Sequence, residues 1–218
     1  MRGLSPCGYR FAGSAIIGVT MPSPIGHALA GLALAWGSDL VPGAHGWRGT
    51  TRGGSLYARA GGALTLGCTL LAAAPDLDLV VGGHRTATHS ITAAVLVALV
   101  AGALAVVSSR PVLRIALMCG GAWATHLLLD WVAVDAVAPR GIQLLWPFSR
   151  DWFISGWDVF AGTERIRILS DKAMRQNAMA LARELAILLP LVYGLWLVRI
   201  KALARLTTEL SGRDLPTK

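Results

Sequence analysis

Charge is scarce in this sequence. Asp, Glu, Lys and Arg make up 15% of its 218 residues, where a soluble globular domain carries about 25%. That shortfall argues against a surface solvated on all sides. Cysteine is scarce as well. Cys68 and Cys119 fall inside apolar runs, Cys7 lies near the start, and no C-x-x-C occurs. A disulfide framework and a thiolate metal site are therefore unsupported, and these cysteines read as small buried hydrophobes. Neither the H-E-x-x-H of metalloproteases nor the G-x-S-x-G elbow of serine hydrolases is present. The net charge of +8 comes from basic residues scattered through linkers and the tail. No basic stripe interleaved with aromatics occurs, so nucleic-acid binding is not expected. Loops lying against anionic lipid account for the charge more simply.

What the chain does have is apolar length. Hydrophobic residues make up 54% of it and the mean hydropathy is +0.56. With several apolar runs near twenty residues, this predicts an all-α, multi-pass transmembrane helical bundle of four to five membrane segments. Residues 1–20 read as a dispensable or mis-assigned leader, with Met21 a plausible start. Residues 21–205 read as a single membrane-embedded domain and 206–218 as a polar tail. The expected segments are Pro24 to Val41, Ala60 to Ala74 with an extension toward Val81, Ser90 to Ser109, Val112 to Val134, and Leu185 to Val198. Ser23 and Pro24 suit a helix start, and Thr88 or Ser90 can cap the third segment. Residues 42–59 form a Gly-rich loop whose His45 reads as solvated. Residues 135–179 form a longer connection with an aromatic patch, and Glu164 to Arg183 reads as an amphipathic surface helix. Trp131, Trp146, Trp152 and Trp157 crowd that patch and the end of segment four. They suit an interfacial belt, and Trp146 is also a candidate for lining a substrate pocket.

One stretch breaks the apolar pattern. Between Ala74 and Ile91 the sequence A-P-D-L-D-L-V-V-G-G-H-R-T-A-T-H-S-I carries Asp76, Asp78, His84, Arg85 and His89. Ionisable groups flanked by membrane segments are costly, and they read by default as a functional site. Antiparallel segments place the starts of one, three and five at the same face as the ends of two and four. His27, Asp76, Asp78, His84, His89, His126 and Asp130 all land there. The positive-inside rule sets that face outside, although the long outer connection is itself basic.

His126 and Asp130 are four apart on a helix, share one face and can bind a single cation. Imidazole and carboxylate suit zinc, with manganese or iron next. The metal-ligand candidates are His27, Asp76, His84, His89, His126 and Asp130. Asp76 is a bridge or general base, and Asp78 a second ligand or a support for one. That is more than one tetrahedral metal needs, which points to paired cations that clamp a phosphoryl group and activate water. Arg85 reads first as an interfacial charge and second as a hold on an anionic substrate. Two bland readings stand beside these. His126 and Asp130 alone can be a hydrogen-bonded pair tying helices together, and His27 alone can be structural. Lipid phosphatases with a Ser-Arg pair ahead of H-x-x-x-D are excluded, because Cys119 and Gly120 occupy those places.

Five motifs then appear in order: S-P-I-G-H-A-L-A-G (23–31), P-D-L-D (75–78), H-R-T-A-T-H-S (84–90), H-L-L-L-D (126–130) and G-I-Q-L-L-W-P-F (141–148). With them the chain resembles the bacterial membrane-bound metal-dependent hydrolases, also described as LexA-binding, inner-membrane-associated hydrolases. That family is grouped with zinc-dependent phospholipase C and related all-helical zinc nucleases. The resemblance implies a bacterial inner-membrane location and a ligand set of His27, Asp76, His84 or His89, His126 and Asp130. It also carries the LexA link. No histidine follows His126, so the downstream histidine ligands of the soluble enzymes have no counterpart.

The combined expectation is a membrane-bound hydrolase that acts on a phosphoester, in a lipid or another amphiphile, through metal-activated water. A non-catalytic membrane protein with a structural or regulatory metal site is the first alternative. An ion or proton transporter is the second.

Overall fold

The computed structural model describes residues 20–41, 60–80, 85–136, 138–165 and 168–213. The leader through residue 19, the 42–59 loop with His45, His84 and the last five residues lie outside the described residues. Five α-helices occur among those described. α1 spans Pro24–Ser38, α2 Gly62–Ala73, α3 Ile91–Val107, α4 Val112–Trp131 and α5 Asp171–Arg213. Two-residue strands β1 (Thr20–Met21) and β2 (Thr163–Glu164) pair antiparallel, with Thr20 opposite Glu164.

Local chemistry sets most boundaries. Ser23 caps α1, its hydroxyl accepting from the Gly26 N–H at 3.1 Å, and Pro24 opens the helix with no N–H to waste. α2 ends where Pro75 removes a donor from the ladder, and the chain tightens into a 3-10 stretch, Ala74–Val80. Ser90 caps α3 through the Ala93 N–H. Ser109, at φ 53°, reverses the chain toward α4.

The fifth segment departs from expectation. The exposed helix and the span expected from Leu185 are joined, so that α5 is one continuous helix of 43 residues beginning at Asp171, about 65 Å long at 1.5 Å per residue.

Among the described residues, three stretches are long and apolar enough to cross a membrane: Gly62–Val80, Val112–Trp131 and Asp171–Ala202. α3 is apolar but shorter. Its exposed Leu96, Leu99, Val100 and Leu104 suit a lipid-facing surface.

α1 is the hub, packing on α2, α4 and α5, while α4 also packs on α2 and α3. Small residues permit this. A Cβ on Gly31 would lie 2.5 Å from the Cys68 carbonyl oxygen and 2.6 Å from the Ala72 Cβ, so only glycine lets α1 approach α2 this closely. One buried cluster, Ala35, Cys68, Ala72, Met118 and Ala122, joins α1, α2 and α4. A second, including Ala30, Leu129, Ala133, Phe160 and Leu188, joins α1, α4 and α5 to the connection after α4. That connection crosses the end of the bundle where α1 begins. It is held there by the strand pair and by the Thr163 hydroxyl donating to the Met21 carbonyl at 2.8 Å.

Candidate metal centre

Four elements deliver the polar side chains to that end. The cap and proline that start α1 put His27 in its first turn. In the 3-10 stretch after α2, three residues per turn rotate Leu77 and Val80 outward and turn Asp76 and Asp78 inward; Leu77 is 69% exposed and Asp76 8%. A second 3-10 turn, Ala87–His89, brings His89 in just before the Ser90 cap. His126 and Asp130 lie one turn apart near the end of α4. His27, His89 and His126 are all fully buried.

The facing atoms are closely spaced. His89 Nε2 and His126 Nε2 are 3.0 Å apart. Asp130 Oδ2 is 3.2 Å from His126 Nε2 and 3.4 Å from His89 Nε2, and Asp76 Oδ1 is 3.6 and 3.8 Å from the same two nitrogens. Tetrahedral ligands about 2.0–2.2 Å from a zinc ion stand about 3.3–3.6 Å from one another. The second oxygens of both carboxylates turn toward α1: His27 Nε2 lies 3.4 Å from Asp130 Oδ1 and 4.0 Å from Asp76 Oδ2. The His27 ring stacks on His126 with centroids 3.7 Å apart.

The outward nitrogens are held from behind. His126 Nδ1 sits 2.8 Å from the Ala72 carbonyl oxygen. A carbonyl only accepts, so the proton is on Nδ1 and Nε2 offers its lone pair to the centre. Asp78 does the same for His89, with Oδ2 3.2 Å from Nδ1. Thr88 in turn donates its hydroxyl to Asp78. Burial pushes the His89 imidazole down, but the Asp76 and Asp78 carboxylates outweigh it and hold it up at about 9. A metal binding there competes with that proton.

Both ring nitrogens of His27 and all four carboxylate oxygens of Asp76 and Asp130 are buried without a hydrogen bond. Arg165 Nη1 stands 2.9 Å from Asp76 Oδ2, an ion pair that lacks hydrogen-bond alignment. Buried carboxylates left in this state cost several kcal/mol each, and a divalent cation among them removes the cost. His27, Asp76 and His126 form one group able to hold a metal ion, and His89, His126 and Asp130 another.

The structure thus brings together His27, Asp76, His89, His126 and Asp130, with Asp78 behind His89, while His84 lies outside the described residues. Ser90 is a helix cap, whereas Thr88 belongs to the support of the cluster. Arg85 is buried at φ 64°, ion-paired with Asp135 and lying over the Trp152 ring with its guanidinium carbon 5.7 Å from the centroid. Arg85 and Asp130 also share the wall of a cavity of about 10 Å³, room for one water. Trp146 is half-buried beside the start of α3, where its carbonyl accepts from the Thr92 hydroxyl at 2.7 Å.

Sequence reasoning missed two charged residues of this region. Arg165 reaches Asp76 from the long connection, and nothing in the local pattern there marks it. Glu184, fully buried on α5, accepts from the Ser23 N–H at 2.6 Å and from the Ser23 hydroxyl, so it holds the start of α1. A lone carboxylate at the edge of an apolar segment was the available signal for it.

Fold and cluster together define an all-helical membrane protein whose buried His/Asp groups at one bundle end could hold a metal ion. The sequence profile of the YdjM inner membrane protein family matches residues 21–203, and the chain belongs to that family. It is a protein of the bacterial inner membrane. No curated protein and no solved structure gives a significant match.

Proposed function

We propose that this protein is a metal-dependent hydrolase of the inner membrane that acts on a phosphoester in a lipid or another amphiphile, with zinc as its metal. One observation carries the reading. Two imidazole nitrogens stand 3.0 Å apart, with an Asp130 oxygen 3.2–3.4 Å and an Asp76 oxygen 3.6–3.8 Å from both, and those carboxylates have no hydrogen bonds. His89, His126 and Asp130 would hold the ion and leave a fourth position, on the side of Asp76, for water. The nitrogen and oxygen donors favour zinc, with manganese the alternative.

When bound, the ion supplies Lewis acidity toward a phosphoryl oxygen and lowers the pKa of water at the site. The remaining work falls to the chain. Asp76, whose Oδ1 faces the same point as His89 and His126, would receive the proton of the attacking water. Asp78 keeps the His89 ring oriented. Arg165 brings positive charge to the same corner and suits an anionic substrate. The positive-inside rule favours the side of the inner membrane away from the cytoplasm for this face.

The test is metal analysis of the detergent-purified protein, followed by phosphodiesterase and phospholipase assays. At least about one zinc or manganese per chain is expected, with turnover abolished in His126→Ala while the fold survives. Less than one ion per chain sinks the proposal. One observation favours a second reading, a structural or regulatory metal: the cavity beside Asp130 has room for little more than a water. A protein that binds its ion but hydrolyses nothing in a broad phosphoester screen supports that reading.

A further inference from the structure

Resting on the metal reading above, we infer that Arg165 is the second cation of the centre. It fills the corner beside His27 where a second metal would lie, so the site takes one divalent ion. The observations come from both sides of that corner. Beside His89, His126 and Asp130, the other group able to hold an ion is His27, Asp76 and His126, with His27 Nε2 4.0 Å from Asp76 Oδ2 and 3.4 Å from Asp130 Oδ1. Asp76 Oδ2, however, already faces Arg165 Nη1 at 2.9 Å. A divalent ion bound to the same oxygen would be driven against the guanidinium at close range.

The arginine is built into the fold. β2 pairs with the residues that lead into α1, and Arg165 follows β2 directly. Its Nη2 donates to the Pro22 carbonyl at 2.5 Å. Just before it, Glu164 is tied to α5 by the Asn177 amide, at 2.7 Å from the Glu164 N–H and 2.9 Å from its carbonyl. Arg165 Nε is buried with no hydrogen bond.

Zinc stoichiometry reads this without any assay of turnover. The full chain in detergent is stripped with chelator, reloaded with excess zinc, desalted and analysed by mass spectrometry. Wild type and Arg165→Lys are expected to hold one ion per chain. Arg165→Ala is expected to hold two, and the gained ion to vanish when His27→Ala is added. Arg165→Met, which keeps an apolar stem of similar length without the charge, replaces the alanine variant if that one does not fold. Two ions in wild type, one in both arginine-deletion variants, or a gained ion that survives His27→Ala overturns the inference while the metal reading stands. No ion in wild type overturns both.

Discussion

Two buried charged clusters occupy opposite ends of α1, and they are built on opposite principles. At the far end Asp39, 3% exposed, accepts from Arg114 Nη2 at 2.6 Å on one oxygen and from Arg199 Nε at 2.8 Å on the other. That cluster is complete in the chain itself. Twelve residues earlier on the same helix, about 18 Å away at 1.5 Å per residue, His27 opens onto Asp76 and Asp130, whose oxygens have no hydrogen bonds. A membrane protein can bury charge in order to tie helices, and it then satisfies every group. Where it buries charge and leaves lone pairs aimed at one point, a bound cation could be the missing partner.

The comparison breaks most decisively at His126. His126→Ala removes a nitrogen from the centre, and zinc content falls from about one ion per chain to below about a tenth, measured by metal analysis. Arg199→Ala does the reverse. It leaves Asp39 with half its partners and costs about 3–5 kcal/mol of stability, read as an earlier thermal transition in detergent, while zinc content is unchanged. Metal removal separates the two ends again: at zinc 100-fold above Kd, chelation lowers wild-type stability by about 2.7 kcal/mol, and the same treatment leaves His126→Ala unaffected. Asp78→Asn spares the ligands but loosens the orientation of His89, and a zinc titration should show affinity weakened about 10–100-fold. Thr88→Val acts one bond further out, and the loss of a single hydrogen bond worth about 0.5–1.5 kcal/mol predicts a shift of no more than about tenfold.

Much of the centre was legible because its signals are local. His126 and Asp130 declare themselves by helical spacing, and Asp76, Asp78 and His89 by standing in the hairpin between apolar runs. His27 was legible only through the antiparallel arrangement of the segments. Arg165 was not legible, because its place depends on how an irregular connection folds back onto the start of α1. The first turns of α5 carry the exposed polar face expected of them, with Asp171, Lys172 and Arg175 in the open and Ala173 and Ala180 buried. What was not legible is the unbroken join to the span, where Gln176 donates to the Gly162 carbonyl, Arg183 to the Asp158 carbonyl, and Glu184 accepts from Ser23. Arg85 was ambiguous, and its Asp135 partner fifty residues away could not be read from the motif.

The Ala72 carbonyl that holds His126 has a consequence for how the protein is made. It sits one turn before Pro75, in the span that enters the bilayer two segments ahead of α4. The imidazole is therefore oriented only when both spans are in place and packed. The ligands reach the membrane in separate hairpins, and the guanidinium that faces Asp76 follows later still in the chain. The centre is thus a product of completed insertion, and metal loading is expected to report that the bundle has closed.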